Sequence, residues 1–350
     1  MAEHTTIAQQ VNRRASEKNI PLSVLVELTY RCNLTCYYCY QKSLPKENEL
    51  SCSQWSGILS QLADAGTLYS TFSGGELFMR HDALDIITAA RSRDFAVSII
   101  TNGTLLTAGI VAKLADLGVM DVGVSFHAAS APLHDRLCGK KGSFKRTLEG
   151  LRLCVAAGIK TLIKHSVSLE NYGEFTRLSR LADDEGCFFE CDANIVSHIP
   201  GEPSPFALSV KDYTRFLRTM KAAPLPDLPK KNEHYTLHCD AGRSLCGIMP
   251  SGEVVPCIQL PVVLGNVAKK PFSRIWNGRT AKSFRLKEEI LDKSCTYCAI
   301  KHFCNRCAGI VFFETGGKWQ GASSCICNRA KAQAFLSGYI SDPAMPENIH

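Results

Sequence analysis

Apolar positions along this 350-residue chain follow two alternating rhythms. Residues 22–28 (LSVLVEL) form a short, mostly aliphatic run with the length of a buried strand. Residues 51–66 change period. Trp55, Ile58, Leu59 and Leu62 recur at the spacing of one helix face, Ser51 can cap the start, and Gly66 can end it. LYSTFSGGE at 68–76 reads as a strand running into a Gly-Gly turn. The pair then repeats. Helical segments at 82–94, 107–118, 144–159 and 175–186 precede strand-like runs at 96–104, 121–127, 160–168 and 187–195.

Six strands separated by helices predict β/α units around a parallel sheet. Six units fall short of the eight that close a barrel. The expected fold is therefore α/β: a partial (β/α)6 barrel over 22–198, followed by a small cysteine-rich domain. In such folds the chemistry sits on loops at the C-terminal ends of the strands. Residues 1–21 read as an N-terminal extension and 331–350 as a tail. Residues 199–238 are proline-rich around a short helix, DYTRFLRTMK, and read as a connection. From 239 to 330 the periodicity weakens and cysteines dominate, so this module is expected to fold around metals rather than a large apolar core.

Composition narrows the class. No apolar run is long enough to span a membrane, and the polar N-terminus lacks a signal-peptide core, so a cytoplasmic location is expected. Thiols stay reduced there, which makes metal ligation a better use of the 17 cysteines than disulfides. The net charge of +7 resides in 239–330, with 13 Lys/Arg against 6 Asp/Glu. That segment also holds nine cysteines, whose metal-bound thiolates would offset the excess. No nucleic-acid reader motif is present, and no nucleic-acid or membrane partner is expected.

The candidate chemistry starts after the first strand. Cys32, Cys36 and Cys39 are spaced C-x3-C-x2-C. This is too tight for a set of disulfides. Three thiolates on one loop suit an iron–sulfur cluster with one iron left open. Zinc would want a fourth Cys or His nearby; that reading and three merely buried cysteines are the alternatives.

The motif, with aromatic Tyr38 before its last cysteine, resembles the radical S-adenosylmethionine (SAM) superfamily. The resemblance implies a 4Fe–4S cluster on Cys32, Cys36 and Cys39, its open iron bound by SAM. One electron then cleaves SAM to methionine and a 5′-deoxyadenosyl radical, which removes a hydrogen atom from the target. By the same resemblance Ser73, Gly74, Gly75 and Glu76 form the segment holding the methionine amino group through backbone and carboxylate. Thr101, Asn102 and Ser125, at the ends of strands three and four, contact the cofactor. His127 reads equally as a contact of the site or as a satisfied loop histidine, and Lys164 reads as an outward, solvated lysine in preference to one facing the cofactor or substrate.

Downstream, Cys295, Cys298, Cys304 and Cys307 read C-x2-C-x5-C-x2-C. With CDAG at 239–242, SGEVVPC at 251–257 and CNRCAG at 304–309, the array resembles the SPASM extension, which carries two auxiliary iron–sulfur clusters. That resemblance assigns Cys239, Cys257 and Cys307 to one cluster, with Cys246 as fourth ligand or the site left open. It assigns Cys295, Cys298 and Cys304 to the other, closed by Cys327 or Cys325. One departure is the two-residue gap between Cys304 and Cys307, where many relatives have three. Cys52, Cys138, Cys154, Cys187 and Cys191 lack ligand spacing and read as small buried hydrophobes.

The wording SGEVVPCIQLP and FCNRCAG resembles peptide maturases, which implies oxidation or cross-linking of a ribosomally made peptide or protein. Radical modification of a tetrapyrrole or amino sugar is the alternative activity, and an iron–sulfur electron-transfer protein the alternative without one. The resemblance also implies a ferredoxin- or flavodoxin-type reductant. Because residues 1–21 are too few for a folded domain, a separate leader-binding protein is expected if the substrate carries a leader. Cys298→Ala is predicted to lower bound iron by up to about four atoms per chain while leaving some SAM cleavage; unchanged iron on elemental analysis would remove the auxiliary-cluster assignment.

Overall fold

One nine-stranded sheet runs through the chain, in the order β6-β5-β4-β3-β2-β1-β7-β8-β9. The structure is a computed structural model that describes residues 6–43, 48–195, 197, 201–220, 239–288 and 293–342. β1 (Ser23–Glu27), β2 (Tyr69–Ser73), β3 (Ala96–Thr101), β4 (Asp121–Ser125), β5 (Thr161–Ser166) and β6 (Phe188–Asp192) pair in parallel, each beside its sequence neighbour. All six strands expected from the apolar rhythm form, within the windows read from it. The helix Cys52–Asp64 starts at a capping box in which Ser51 Oγ accepts from the Gln54 N–H, and it buries Trp55, Ile58, Leu59 and Leu62. The barrel stays open: no strand among the described residues pairs with the free edge of β6.

The second module departs from expectation. β7 (Leu245–Ile248) lies parallel to β1, with Ser23 opposite Leu245 and Val26 opposite Ile248. β8 (Glu253–Val255) and β9 (Gly265–Asn266) follow antiparallel. The module therefore extends the barrel's own sheet. Its Ile248, Val254, Phe272, Trp276 and Phe284 belong to one apolar cluster with Val24, Val26 and Phe72. The expectation of a fold built on metals without a sizeable core is corrected. The physical reason is range. β7 has four residues, too few to show a period, and its partner β1 lies far upstream.

The chain ends are also more tightly tied than their polarity suggested. Residues 7–18 form a helix, Ile7–Lys18, opened by a Thr6 capping box. Immediately after it, the Asn19 carbonyl accepts from Trp276 Nε1 at 2.6 Å. Trp276 is 2% exposed, stacks on Phe272 and carries the Arg285 guanidinium 4.5 Å from its ring centroid. The helix Ser324–Leu336 runs across the boundary expected between the cysteine-rich module, 239–330, and the tail, 331–350. It packs Ala332 into a cluster with Leu208, Tyr213 and Phe216 of the connection. The helix read there forms at Val210–Thr219, whereas APLPDLPKK lies outside the described residues. No described helix is long and apolar enough to cross a membrane.

Trp276 thus joins the N-terminal helix to the second module. Trp276→Ala is expected to cost about 3–5 kcal/mol, read as a fall in thermal midpoint, and Trp276→Phe clearly less. Equal midpoints for all three proteins would refute this linkage.

Candidate functional site

The cysteine loop is held by a close backbone crossing. Beyond β1, Leu28–Arg31 runs along the turn after β2. The Leu28 N–H donates to Ser73 O at 3.0 Å, Gly75 N–H to Thr29 O at 2.7 Å, and Glu76 N–H to Arg31 O at 2.9 Å. A Cβ on Gly74 would lie 2.4 Å from Thr29 O, and Gly74 has φ +148°. A Cβ on Gly75 would lie 2.5 Å from Arg31 O. The glycines are therefore required where two backbones touch. Buried Arg80 braces the crossing, donating to Leu28 O at 3.1 Å and pairing with Asp82 at 2.7 Å.

The loop itself is pinned on several sides. The N–H groups of Thr35 and Tyr37 donate to the carbonyls of Cys138 and Leu137, at 3.0 and 3.1 Å, at the end of the helix Ala131–Cys138. Asn33 bonds Thr104 at 2.8 Å and Asn102 at 2.9 Å. Tyr40 and Gln41, just past Cys39, both donate to buried Glu27 at 2.6 Å.

The loop borders a cavity of about 410 Å³ at the C-terminal end of the sheet. Cys32, Cys36, Cys39, Tyr38, Ser73, Gly74, Gly75, Thr101, Asn102 and Ser125 all line it. Glu76 does not. It is buried behind the wall, where its carboxylate accepts from Thr101 Oγ1 at 2.8 Å and the Asn102 N–H at 2.8 Å. Burial raises its pKa, and these bonds oppose the rise. In this geometry the carboxylate fastens the turn after β3 to the turn after β2, and its hydrogen-bond partners are protein groups.

Further lining residues had no signal in the sequence. Ser166, Asn194 and Ile195 come from the ends of β5 and β6, and Gln259 from the second module. The Cys307 thiol donates to Gln259 Oε1 at 3.8 Å, so Gln259 stands between this cavity and the auxiliary cysteines. A Cβ at Gly309 would meet Gln259 O at 2.2 Å, which explains the glycine in CNRCAG. Lys164 is not outward as expected. It sits on the inner face beside Gly123, paired with Glu190 at 2.8 Å. His127, read equally as a site contact or a satisfied loop histidine, takes the Tyr38 hydroxyl at Nδ1 and places Nε2 3.9 Å from Cys36 Sγ.

The donor sets fit thiolate-bound clusters. Burial lifts the Cys32 thiol to about 11, and the neighbouring Cys138 thiol with burial lifts Cys36 further. Such thiols stay neutral until a cationic centre compensates their ionisation. In the second module burial lifts Cys304 to about 12, with further upward contributions from Cys327, Cys295 and Cys298. Cys304 therefore senses the other three sulfurs. Cys325 instead faces the Tyr213 hydroxyl at 3.6 Å, while Cys327 is among the thiols that raise Cys304. Cys257 senses Cys307, and Cys246, fully buried on β7, senses Cys257. Cys239 is half-buried at the head of the module. Cys138 and Cys154 are buried as expected of small hydrophobes, while Cys52, Cys187 and Cys191 are half-buried.

Comparison with known proteins places this architecture. Residues 26–182 match the radical SAM superfamily, and residues 239–299 match the SPASM iron–sulfur cluster-binding domain. The chain is 30% identical over 345 residues to an AdoMet-dependent heme synthase of Methanosarcina barkeri, covering 89% of this chain and 98% of that protein. It is 27% identical to the subtilosin biosynthesis protein AlbA of Bacillus subtilis, covering 84% of this chain and 68% of that one. It is 29% identical to a PqqA peptide cyclase of Gluconobacter oxydans, covering 73% and 76%. The fold is similar to SuiB of Streptococcus suis bound to S-adenosylmethionine, with TM-score 0.71 at 17% identity over 91% of this chain and 81% of SuiB.

Gly75→Ala is expected to force Arg31 and the cysteine loop apart at a cost of about 1–3 kcal/mol. The measurable outcome is a lower thermal midpoint together with poorer iron uptake. A variant with both properties unchanged would contradict the role given to this crossing.

Proposed function

The chain belongs to the radical SAM superfamily and carries a SPASM domain, with 4Fe–4S clusters and S-adenosylmethionine as its cofactors, and from that premise we propose that it oxidises or cross-links a ribosomally made peptide or protein. When bound, the cofactors supply reductive cleavage of S-adenosylmethionine and hydrogen-atom removal. The chain supplies position and exclusion of water. Cys32, Cys36 and Cys39 would hold the first cluster. The glycine crossing and the Glu76–Thr101–Asn102 bonds fix the wall of the cavity that would receive S-adenosylmethionine. A ferredoxin or flavodoxin provides the electron.

The observation that carries the peptide reading is the open side of the sheet. Ser125 and Ser166 line the cavity, and residues two positions earlier on a strand share its face, which places Gly123 and Lys164 directly below. Glu190, paired with Lys164, and Asp192 continue that polar inner face to the β6 edge. An extended ligand can enter along such a trough from the side. The similarity to AlbA and to PqqA peptide cyclase supports the same reading.

A second reading, side-chain modification of a tetrapyrrole, is favoured by the similarity to the heme synthase over nearly all of that protein's length. One assay separates the two. The protein is reconstituted with iron and sulfide without oxygen and given S-adenosylmethionine and dithionite. It should release 5′-deoxyadenosine, and Cys39→Ala should not. Cysteine-bearing peptides encoded beside the gene are then tested against iron porphyrins bearing propionate side chains. Loss of hydrogen from a peptide by mass spectrometry supports the proposal. Porphyrin turnover with inert peptides replaces it with the second reading.

A further inference from the structure

Cys138 was read as an inert hydrophobe, yet it completes a constellation with two residues of the cluster cavity. One ligand atom each from Cys36, His127 and Cys138 lies within 4.8 Å of the others. Cys138 is fully buried and His127 is 6% exposed. The arrangement follows from the backbone. The carbonyls of Leu137 and Cys138 receive the cysteine loop's own N–H groups, which brings Cys138 alongside Cys36. His127 follows β4 by two residues and places Nε2 3.9 Å from Cys36 Sγ.

We propose that Cys36, His127 and Cys138 form a mononuclear site for a thiophilic divalent cation of the zinc class, distinct from the cluster site but sharing Cys36 with it. Two thiolates and an imidazole are a borderline-soft set that zinc and cobalt accept, with water in the fourth position. At a zinc–sulfur distance of about 2.3 Å, two sulfurs of a tetrahedral set stand about 3.8 Å apart. The Cys36 and Cys138 sulfurs lie within 4.8 Å of each other, so closing the site takes a shift of at most about one ångström. The histidine is oriented for the task. Tyr38 holds Nδ1, and with Nδ1–H donating to that hydroxyl the Nε2 lone pair faces Cys36. A ligating imidazole commonly has its second nitrogen tied in this way. Binding converts the Cys36 and Cys138 thiols to thiolates, releases two protons and leaves the ion's charge neutralised. Because Cys36 cannot serve both centres, an ion here keeps the cluster out. The site belongs to the cluster-free chain, so the inference stands whatever the substrate proves to be.

The test titrates the cluster-free full chain with Co2+ under argon, following thiolate-to-cobalt charge transfer and d–d absorption. The comparison is made with Cys32 and Cys39 changed to Ala in every protein, so that Cys36 has no other thiol of its loop with which to bind cobalt. The otherwise wild-type protein is expected to take up one equivalent more than with Cys138→Ala added, and one more than with His127→Ala added. Zinc loading before reconstitution should slow installation of the first cluster at least tenfold in wild type and leave Cys138→Ala unaffected. Cys138→Ala that reaches wild-type iron without zinc is correctly folded; if it does not, His127→Ala decides. Equal cobalt stoichiometry with and without the deciding substitution would overturn the site.

Discussion

The contact on which the site depends is the touching of two backbones. Thr29–Arg31 and Gly74–Gly75 lie so close that one added carbon on either glycine would overlap a carbonyl oxygen. This crossing sets where the chain emerges from β1 and therefore where Cys32 begins the loop. Protein interiors are packed too densely to absorb such an overlap. Glu76 carries the constraint to β3 through Thr101 and Asn102, and Asn102 returns it to the loop through Asn33. The wall of the cavity is thus one hydrogen-bonded frame.

The second module is part of the same construction. β7 adds directly to β1, so the strand that launches the cysteine loop is also the seam between the modules. Gln259 reaches the cavity from one side of that seam and holds Cys307 on the other. Gln259 thereby links the wall of the first cavity to one of the auxiliary cysteines. The apolar core shared across the seam means that the module is held by packing as well as by metal ligation.

Burial gives the cysteines their chemical character. Cys32, Cys246, Cys257 and Cys304 are all raised, with burial as the largest cause. The Lys/Arg excess of 239–330 does not offset that burial. Metal charge must do so, which couples ligand geometry to loading.

Much of this was legible in the sequence. The period of apolar positions located six strands, and the spacing of Cys32, Cys36 and Cys39 identified the chemistry of their loop, because both signals are local. Ten of the eleven residues read as cluster or cofactor contacts of the first site line one cavity. Three things needed the tertiary structure. Glu76 faces the neighbouring turn, Lys164 faces inward, and Cys325 turns to Tyr213 while Cys327 stays with Cys304. Each depends on which way a side chain points when distant strands and helices meet. Cys138 is the same case: no spacing connects it to Cys36, and only the helix end that receives the loop's N–H groups brings the two sulfurs together. The sequence by itself determined the class of chemistry and the strands that carry it. The tertiary structure decided which groups face one another, because those contacts join residues far apart in the chain and leave no periodic trace in it.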